Sequence, residues 1–294
     1  MSNTIFVTGA AGQLGKLVIQ KLLARGVAPA RIVAGSRDPQ KLADLTAQGV
    51  TVRRADFEDS AGLAEAFAGV GTVLIVSTDA LDGAGTRLKQ HRNAVAAAAA
   101  AGVGRIAYTS LPNPESSLIT FAPDHAGTER AIRETGLPHL IFRNNWYQQN
   151  LLMSLPHSLQ GGQWYSAAQG GRIAYAAREE MAEAIAAGLD TPVAESRIYT
   201  LTGPQALTTA EVAELASKAT GKPLAVVRVD DAQLAAGLKG AGLPDGLIAM
   251  LVSIDAETRA GNLSIVTDHL ETLIGRAPQT LAQYFDANKA DYLG

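Results

Sequence analysis

The sequence contains no cysteine. Disulfide bonds, thiol nucleophiles and metal centres held by cysteine are therefore excluded. It also lacks any long run of lysine and arginine, and its net charge is −3, so we expect no nucleic-acid partner. The five histidines have no spacing typical of paired metal ligands, and we expect no metal site.

Long apolar runs are missing as well. The longest candidate, at residues 95–103, is rich in alanine and too short to span a bilayer. A strand is expected within the first few residues, which argues against a signal peptide. We therefore expect a cytoplasmic protein without a membrane segment. Neither a Gly-x-Ser-x-Gly elbow nor a P-loop is present, so a hydrolase or an NTPase is not indicated.

Short apolar runs alternate with helical patterns through the first half of the chain. Strands are predicted at residues 4–7, 31–37, 50–57, 72–77, 103–110 and 139–143. Repeated β–α units with apolar strands predict a Rossmann-type α/β fold with a doubly wound parallel sheet. The alanine tract within residues 86–101 is interpreted as a helix packed close to that sheet.

Beyond about residue 150 the pattern changes to short strand-like pieces separated by helices. We therefore predict two domains, the sheet domain at 1–150 and a smaller, mostly helical lobe at 151–294. The lobe is expected to cover the carboxyl edge of the sheet, where ligands bind in open α/β folds. The boundary is soft, because a strand-like piece near 198–201 could return to the main sheet.

A glycine-rich turn follows the first predicted strand. Its glycines stand at positions 9, 12 and 15, and a long amphipathic helix comes next. Gly9 permits the tight turn, Gly12 lets the backbone approach phosphates, and Gly15 lets helix and strand pack closely. The unpaired N–H groups of the helix start favour an anion. This pattern predicts a dinucleotide site, and the alternative is a turn without a ligand. The predicted cofactor-binding residues here are Gly9, Ala10, Ala11, Gly12, Gln13 and Leu14.

Residues at the ends of the next strands indicate the adenosine half of a cofactor. Arg37 follows the second strand and suits the 2′-phosphate of NADP, although a solvated arginine is the alternative and Asp38 stands next to it. Phe57 follows the third strand and is predicted to stack on adenine. Ser77 and Thr78 end the fourth strand and would flank the ribose or pyrophosphate. We therefore expect NADP(H) as cofactor.

The wide glycine spacing headed by Thr8 resembles the short-chain dehydrogenase/reductase superfamily. In that superfamily a Tyr-x-x-x-Lys pair supplies the acid for carbonyl reduction. Here His125 and Glu129 have the matching spacing, which places them on one helix face. The resemblance therefore implies a member that lacks the usual acid machinery.

Several segments narrow the resemblance to the atypical, NmrA-like branch, and within it to the NAD(P)H:quinone oxidoreductase type 2 group, with triphenylmethane reductase a near relative. They are residues 8–15, 90–93, 108–111, 125–129, 143–147 and 242–247. The likeness spans essentially the whole chain, and Ala11 departs from it where relatives often carry threonine. It implies an NADPH-dependent reductase that passes a hydride directly to a quinone, without a flavin and without a Tyr–Lys pair.

The segment after the sixth strand would border the nicotinamide and the substrate. The resemblance implies cofactor contacts for Arg143 and Asn144, a catalytic amide at Asn145, and an aromatic wall from Trp146 and Tyr147. A core aromatic is the alternative for Trp146.

His125 could donate a proton to the reduced quinone. The alternative is a structural histidine bonded to Glu129 or to backbone.

Two other functions stay open. One is an NADP(H)-sensing regulatory protein without turnover, which the missing Tyr and Lys favour. The other is a reductase of triphenylmethane-type aromatics. The expected partner is a small quinone or related aromatic acceptor, and the sequence leaves a homo-oligomer open.

Overall fold

The computed structural model describes residues 3–82, 85–192 and 195–293. Its strands are β1 (Ile5–Val7), β2 (Ile32–Ser36), β3 (Thr51–Arg54), β4 (Thr72–Ile75), β5 (Arg105–Ser110), β6 (His139–Asn144), β7 (Gln163–Ser166), β8 (Arg172–Ile173), β9 (Arg197–Leu201), β10 (Leu207–Thr208) and β11 (Ala225–Arg228).

The helices follow the same chain order. They are α1 (Gln13–Ala24), α2 (Ala43–Ala47), α3 (Ser60–Ala66), α4 (Thr86–Ala100), α5 (Ala122–Glu134), α6 (Leu155–Gly161), α7 (Arg178–Leu189), α8 (Thr209–Thr220), α9 (Asp231–Gly240), α10 (Asp245–Arg259), α11 (His269–Ile274) and α12 (Leu281–Asn288). Short 3-10 turns cover Pro29–Arg31, Pro39–Leu42, Gln148–Met153 and Lys289–Tyr292. Within the described part of the chain, no helix is long and apolar enough to cross a membrane.

Seven strands form the main sheet in the order β3-β2-β1-β4-β5-β6-β9. Strands β1 to β6 pair in parallel. The chain moves outward from β1 first in one direction and then in the other, which is the doubly wound order of a Rossmann-type fold. The predicted fold class is confirmed. The predicted strand near residues 198–201 joins the main sheet as β9.

The chain forms two compact units. The first comprises Met1–Leu111, Pro123–Arg143 and Glu179–Tyr199, and the second comprises Pro112–Ala122, Asn144–Arg178 and Thr200–Gly294, in both cases as far as the chain is described. Each unit is therefore assembled from separate stretches of sequence. The single division into residues 1–150 and 151–294 stays a prediction about domains.

The core of the first unit is built around Phe6 of β1. Its ring meets that of Phe67 edge to face, with 4.9 Å between the centroids. A Cβ atom at Gly35 of the neighbouring β2 would collide with the Phe6 ring. Glycine at this point of β2 therefore makes the room that the aromatic core needs.

The alanine tract forms the helix α4, as predicted. Ala94, Val95, Ala97 and Ala98 are buried in one apolar cluster with residues of β4 and β5. Small side chains allow a helix backbone to approach a sheet closely, and alanine has the highest helix propensity.

The second unit combines helices with two small sheets. Strands β7 and β11 pair in parallel, and β8 pairs antiparallel with β10. The helix α8 begins with a capping box in which Thr208 and Glu211 each satisfy the other's backbone N–H. Helices α9 and α12 begin in the same way. Local sequence thus sets where these helices start.

Candidate functional site

The turn between β1 and α1, residues 8–12 (the glycine turn), leaves the start of α1 open. Gly12 occupies the N-cap position, no side chain caps the helix, and its first turn holds no acidic residue. The first N–H groups of a helix have no partner within the helix. These donors and the positive end of the helix dipole are therefore available to an anion.

The shape of the glycine turn depends on close backbone contacts. Gly9 adopts a φ of +60°, in the left-handed region, and its carbonyl accepts the N–H of Gly12 at 2.9 Å. A Cβ atom on Gly15 would collide with the Gly9 carbonyl. The Ala10 N–H donates to the Gly35 carbonyl at 3.0 Å, which ties the turn to the end of β2. The backbone thus forms a cradle that larger side chains would fill.

Arg37, directly after β2, is exposed and makes no hydrogen bond or ion pair with any described residue. Its acidic neighbour is occupied: Asp38 caps the following 3-10 turn by accepting the Gln40 N–H at 3.2 Å. Ser36 accepts the Asp38 N–H at 3.1 Å. The open helix start and an unpaired arginine at the end of β2 fit the pyrophosphate and the 2′-phosphate of NADP(H).

The residues after β3 are engaged locally. Asp56 forms an ion pair with Arg54 at 3.0 Å and accepts the Glu58 N–H at 3.1 Å. Phe57 is only 8% exposed and belongs to the apolar core, while its carbonyl accepts from Asn93 at 2.8 Å. Adenine stacking by Phe57 stays a prediction, and the structure leaves little of this ring open for it.

The stretch that follows β4, residues 76–78, is held by side chains instead of by a neighbouring strand. Three successive backbone N–H groups donate to side chains: Val76 to Thr8 Oγ1 (2.9 Å), Ser77 to Thr109 Oγ1 (2.9 Å) and Thr78 to His91 Nε2 (3.0 Å). The three acceptors come from the glycine turn, β5 and α4. Ser77 and Thr78 were assigned to the cofactor from the sequence. Hydrogen bonds to side chains therefore fix the backbone of both residues.

A set of buried polar side chains lies next to this stretch; we call it the buried polar cluster (Arg87, His91, Tyr108, His125 and Thr128). His91 Nδ1 is 2.9 Å from Thr128 Oγ1, and the Tyr108 hydroxyl is 2.7 Å from His125 Nδ1. Arg87 Nη2 is 3.1 Å from His125 Nε2. Every member is less than a tenth exposed.

Two groups that can only donate show which nitrogen of each imidazole carries the hydrogen. A backbone N–H and a guanidinium can only donate, so His91 Nε2 and His125 Nε2 both accept. Each neutral imidazole then carries its hydrogen on Nδ1, which donates to Thr128 from His91 and to Tyr108 from His125. Thr128 in turn donates to the Asp124 carbonyl. The hydrogen bonds form two ordered chains, one from Thr78 through His91 and Thr128 to Asp124 and one from Arg87 through His125 to Tyr108.

Burial keeps these imidazoles uncharged. It lowers the pKa of His91 to about 3, with the nearby charge of Arg87 adding to the effect. It also lowers the pKa of His125 well below the usual range for histidine, with further contributions from Arg87 and His91. Burial raises the pKa of the Tyr108 hydroxyl. His125 is thus a neutral histidine with both ring nitrogens engaged, and its structural partners are Tyr108 and Arg87.

Glu129, one helical turn beyond His125 on α5, is fully buried and paired. Arg143 donates to it through Nε at 3.0 Å and Nη2 at 2.7 Å, and Arg133 contributes a third contact at 3.1 Å. The Ser110 hydroxyl donates to the same carboxylate at 2.7 Å. The position that resembles the superfamily's lysine therefore holds a buried acid that fixes Arg143. A cofactor contact by Arg143 stays a prediction.

In the second unit, two adjacent asparagines differ. Asn145 is fully used: its amide donates to the Leu263 carbonyl at 3.0 Å and its oxygen accepts the Trp146 N–H at 2.8 Å. Asn144 donates to the Tyr147 hydroxyl at 3.0 Å, but its buried Oδ1 atom has no hydrogen-bond partner among the described residues. An unsatisfied buried acceptor is costly unless a ligand or water pairs with it.

The two aromatic residues predicted to bind substrate are both half-buried. The Arg178 guanidinium lies 4.8 Å from the centre of the Tyr147 ring. The backbone carbonyl of Trp146 accepts the Ala176 N–H at 3.1 Å. Their substrate contacts stay predictions.

Sequence reasoning missed Thr8 and His91 as residues that hold the 76–78 stretch. His91 lies in the 90–93 segment that carries the family resemblance, so one signal for it was present. The hydrogen-bond partner of His91 could not be inferred from the sequence, because Thr78 and His91 come together only in the folded chain. As for metals, no group of three or more His, Cys, Asp or Glu residues in the described ranges could hold an ion.

Comparison with known proteins gives matches over almost the whole chain. A family model described as the NmrA-like family matches residues 1–285. Quinone oxidoreductase 2 of Escherichia coli K12 is 40% identical over 279 residues, which cover 95% of this chain and 96% of that protein.

Solved structures agree with these matches. The crystal structure of an Escherichia coli NADPH-dependent quinone oxidoreductase with NADPH has a TM-score of 0.92 and 39% identity, covering 97% of this chain and 99% of that chain. Triphenylmethane reductase from Citrobacter sp. with NADP(H) has a TM-score of 0.90 and 35% identity, covering 95% and 98%. This protein therefore belongs to the NmrA-like family.

Proposed function

We propose that this protein is an NADPH-dependent reductase of quinones, which passes a hydride directly to its substrate without a flavin. The observation that carries the proposal is the open start of α1 together with the unpaired Arg37, because both suit the phosphates of NADPH. Quinone oxidoreductase 2 of Escherichia coli is similar to this chain over almost its full length, and its crystal structure contains NADPH.

The residues of this chain take distinct roles in the proposal. The N–H groups of the glycine turn, Gly9 to Leu14, bind the pyrophosphate, and Arg37 binds the 2′-phosphate. The stretch 76–78 supports the ribose. The unpaired Asn144 Oδ1 accepts a hydrogen bond from a ligand amide or hydroxyl. Trp146 and Tyr147 offer aromatic surface to a flat acceptor.

The proposal requires little acid–base chemistry from the protein. Bound NADPH supplies a hydride from C4 of its nicotinamide. A quinone is already a strong hydride acceptor, so holding the substrate in the right geometry supplies most of what catalysis needs. The hydroquinone anion that the hydride forms takes its proton from water, so a tuned Tyr–Lys pair is not required.

We leave His125 out of the catalytic machinery, because its ring nitrogens are occupied and its pKa is lowered well below the usual range. His125→Ala should reduce stability by about 2 kcal/mol, since it removes two buried hydrogen bonds. Turnover per folded molecule should change less than about twofold. A large loss of kcat in a protein of wild-type stability would restore His125 as the proton donor.

The test of the main proposal uses purified protein shown to be free of flavin. NADPH consumption is followed with and without 1,4-benzoquinone and corrected for the uncatalysed reaction, and NADH is then compared. Saturable turnover with a preference for NADPH supports the proposal. Tight NADPH binding without turnover of any of several quinones would contradict it and favour an NADP(H)-sensing regulatory protein.

A second candidate is a reductase of triphenylmethane-type aromatics, because a triphenylmethane reductase shares 35% identity with this chain. The same assay with a triphenylmethane dye separates the two. A higher kcat/KM for the dye than for benzoquinone would replace the quinone as the preferred acceptor.

We also propose that the enzyme works in the cytoplasm on a small-molecule acceptor and without a nucleic-acid partner. The net charge of −3 supports the latter. NADPH is supplied inside cells, which supports the former. Cell fractionation tests the location, and sedimentation of the purified protein determines whether it forms a homo-oligomer.

A further inference from the structure

The three residues that follow β4 are held by side chains from other parts of the fold. The ladder of β4 ends at Ile75, yet the next three N–H groups are all satisfied, and each by a side chain from a different element. A buried or half-buried N–H group needs a partner, and a loop normally finds one in water or in its own backbone. Here the sequence supplies three side chains that act in place of a strand.

Of these three side chains, His91 is hydrogen-bonded through both of its ring nitrogens. Its Nε2 atom accepts from Thr78, and its Nδ1 atom donates to Thr128, whose own hydrogen goes to the Asp124 carbonyl. Both ring nitrogens are therefore used, and the ring is fully buried. The imidazole has one orientation and one tautomer in which all these bonds are made.

We propose that His91 is a positioning residue for the cofactor: its Nε2 atom fixes the Thr78 backbone and so holds the 76–78 stretch in the conformation that receives NADPH. This inference rests on the proposed function, which assigns Ser77 and Thr78 to the cofactor ribose. His91 itself touches neither cofactor nor substrate. It acts by removing conformational freedom from the stretch before binding, so that the cofactor does not have to order it.

His91 is supported in turn by three neighbours, which are Arg87, His125 and Tyr108. Arg87 donates to His125, and His125 donates to Tyr108, whose ring packs edge to face with His91 at a centroid distance of 5.5 Å. The Tyr108 hydroxyl is also 3.3 Å from His91 Nδ1. This gives His91 and His125, two of the five histidines, a common role: they are supports for one backbone stretch.

Two variants of the full-length protein test the Nε2 acceptor and the Nδ1 donor of His91 separately. In His91→Gln the side-chain amide reaches the place of Nε2, and its oxygen accepts the Thr78 N–H. In His91→Asn the amide reaches only the place of Nδ1, so the bond to Thr128 is kept and the bond to Thr78 is lost. Hydrogen exchange of the peptide spanning 72–82, the Kd for NADPH and the steady-state kcat with benzoquinone are measured for each.

We expect His91→Gln to keep Thr78 protected and to bind NADPH within about threefold of wild type. We expect His91→Asn to exchange the Thr78 amide at least about tenfold faster and to bind NADPH about 5- to 10-fold more weakly, with kcat changed less than about twofold. A merely structural histidine would not produce this split between binding and turnover. Equal NADPH affinity in both variants, despite faster exchange in His91→Asn, would overturn the inference.

A second pair covers the case in which His91→Asn does not fold. Thr109→Ser keeps the acceptor for the Ser77 N–H, whereas Thr109→Val removes it at nearly constant shape. Weaker NADPH binding in Thr109→Val alone supports positioning by side-chain acceptors, and equal binding in the two overturns it. If the wild-type protein itself binds no NADPH, the proposed function fails. If it binds and turns over NADPH but the variants do not differ, only the positioning inference fails.

Discussion

The glycine turn and the buried polar cluster belong to the same unit and use their polar groups in opposite ways. The turn leaves the first N–H groups of α1 without a capping side chain. In the cluster, both nitrogens of each imidazole have partners. Free donors are tolerable at an exposed helix end, where water or a ligand can pair with them, but are costly inside the protein. The first arrangement suits a ligand, and the second suits rigidity.

The same contrast recurs between two neighbouring residues in the second unit. The amide nitrogen and the amide oxygen of Asn145 both form hydrogen bonds within the protein. The buried Oδ1 atom of Asn144 has no partner among the described residues. In these two comparisons, the residues proposed to bind a ligand have open polar groups, and the residues that hold the framework have paired ones. The following experiments test that distinction, from the largest expected effect to the smallest.

Gly15→Val should have the largest effect, because its side chain would collide with the Gly9 carbonyl and distort the glycine turn. We expect a loss of about 3 kcal/mol in stability and about a 100-fold loss of NADPH affinity. Urea unfolding and a binding titration measure the two. Gly237→Ala in α9, where an added Cβ meets nothing within 4 Å, is the control and should keep NADPH affinity without lowering stability. Unchanged NADPH affinity in Gly15→Val would show that the backbone of the glycine turn does not bind the cofactor.

Acid should destabilise the protein through the buried polar cluster. The folded-state pKa values of His91 and His125 are depressed below 6.5, so the unfolded chain binds more protons once the pH falls below that value. Stability is therefore present above about pH 6.5 and is lost as the pH falls. The two histidines together should cost about 2.5 kcal/mol between about pH 7.5 and about pH 5.5.

His91→Gln is the matched variant for this experiment, because it removes one titrating group and keeps the hydrogen-bond acceptor. Its stability should fall about half as steeply over the same interval. Urea midpoints at several pH values give the slopes. Identical slopes in the two proteins would mean that His91 does not remain neutral in the folded state.

Arg37→Glu tests whether the unpaired arginine binds a phosphate. NADPH affinity should fall about 30-fold and NADH affinity less than about threefold, because only NADPH carries the 2′-phosphate. Binding titrations with both cofactors measure the ratio. Lys41→Glu applies the same change of charge four residues further on and should leave the ratio within about twofold. Equal losses for the two cofactors in Arg37→Glu would remove the phosphate contact.

The two asparagines provide the smallest and finest comparison. Asn145→Ala should reduce stability by about 1.5 kcal/mol, because it leaves the Leu263 carbonyl and the Trp146 N–H without their partner. Asn144→Ala should cost about 0.5 kcal/mol but lower kcat/KM for quinone about fivefold. Thermal unfolding and steady-state kinetics separate the two effects. The reverse assignment would show that Asn145 is the amide that meets a ligand.

Local patterns carried much of the fold. The apolar runs predicted β1 to β6, and the glycine spacing predicted the turn before α1, because strand, turn and helix signals act over a few residues. The alanine tract was correctly interpreted as α4 for the same reason. Local patterns did not predict which segments of the chain make up each of the two units. Residues 112–122 and 179–199 belong to units different from their neighbours in sequence, which only the folded chain reveals.

The partners of polar residues were the least predictable part of the candidate site. Thr8 and Val76 are 68 residues apart in the chain, and no spacing rule joins them. His125 was predicted either to donate a proton or to bond Glu129 or backbone, and its contacts with Arg87 of α4 and Tyr108 of β5 were not foreseen. The quinone was inferred from resemblance to a family, since the residues alone indicated only a dinucleotide cofactor, with Arg37 favouring NADP(H).

Arg37 has one further consequence. Because its side chain is exposed and has no hydrogen bond or ion pair with a described residue, its proposed cofactor preference is separable from the folding of the rest of the protein. A lineage, or an engineer, could exchange this side chain and change coenzyme demand with little penalty in stability. Coenzyme choice would then be among the most evolvable properties of this enzyme, whereas the packing of Phe6 against Gly35 would be among the least.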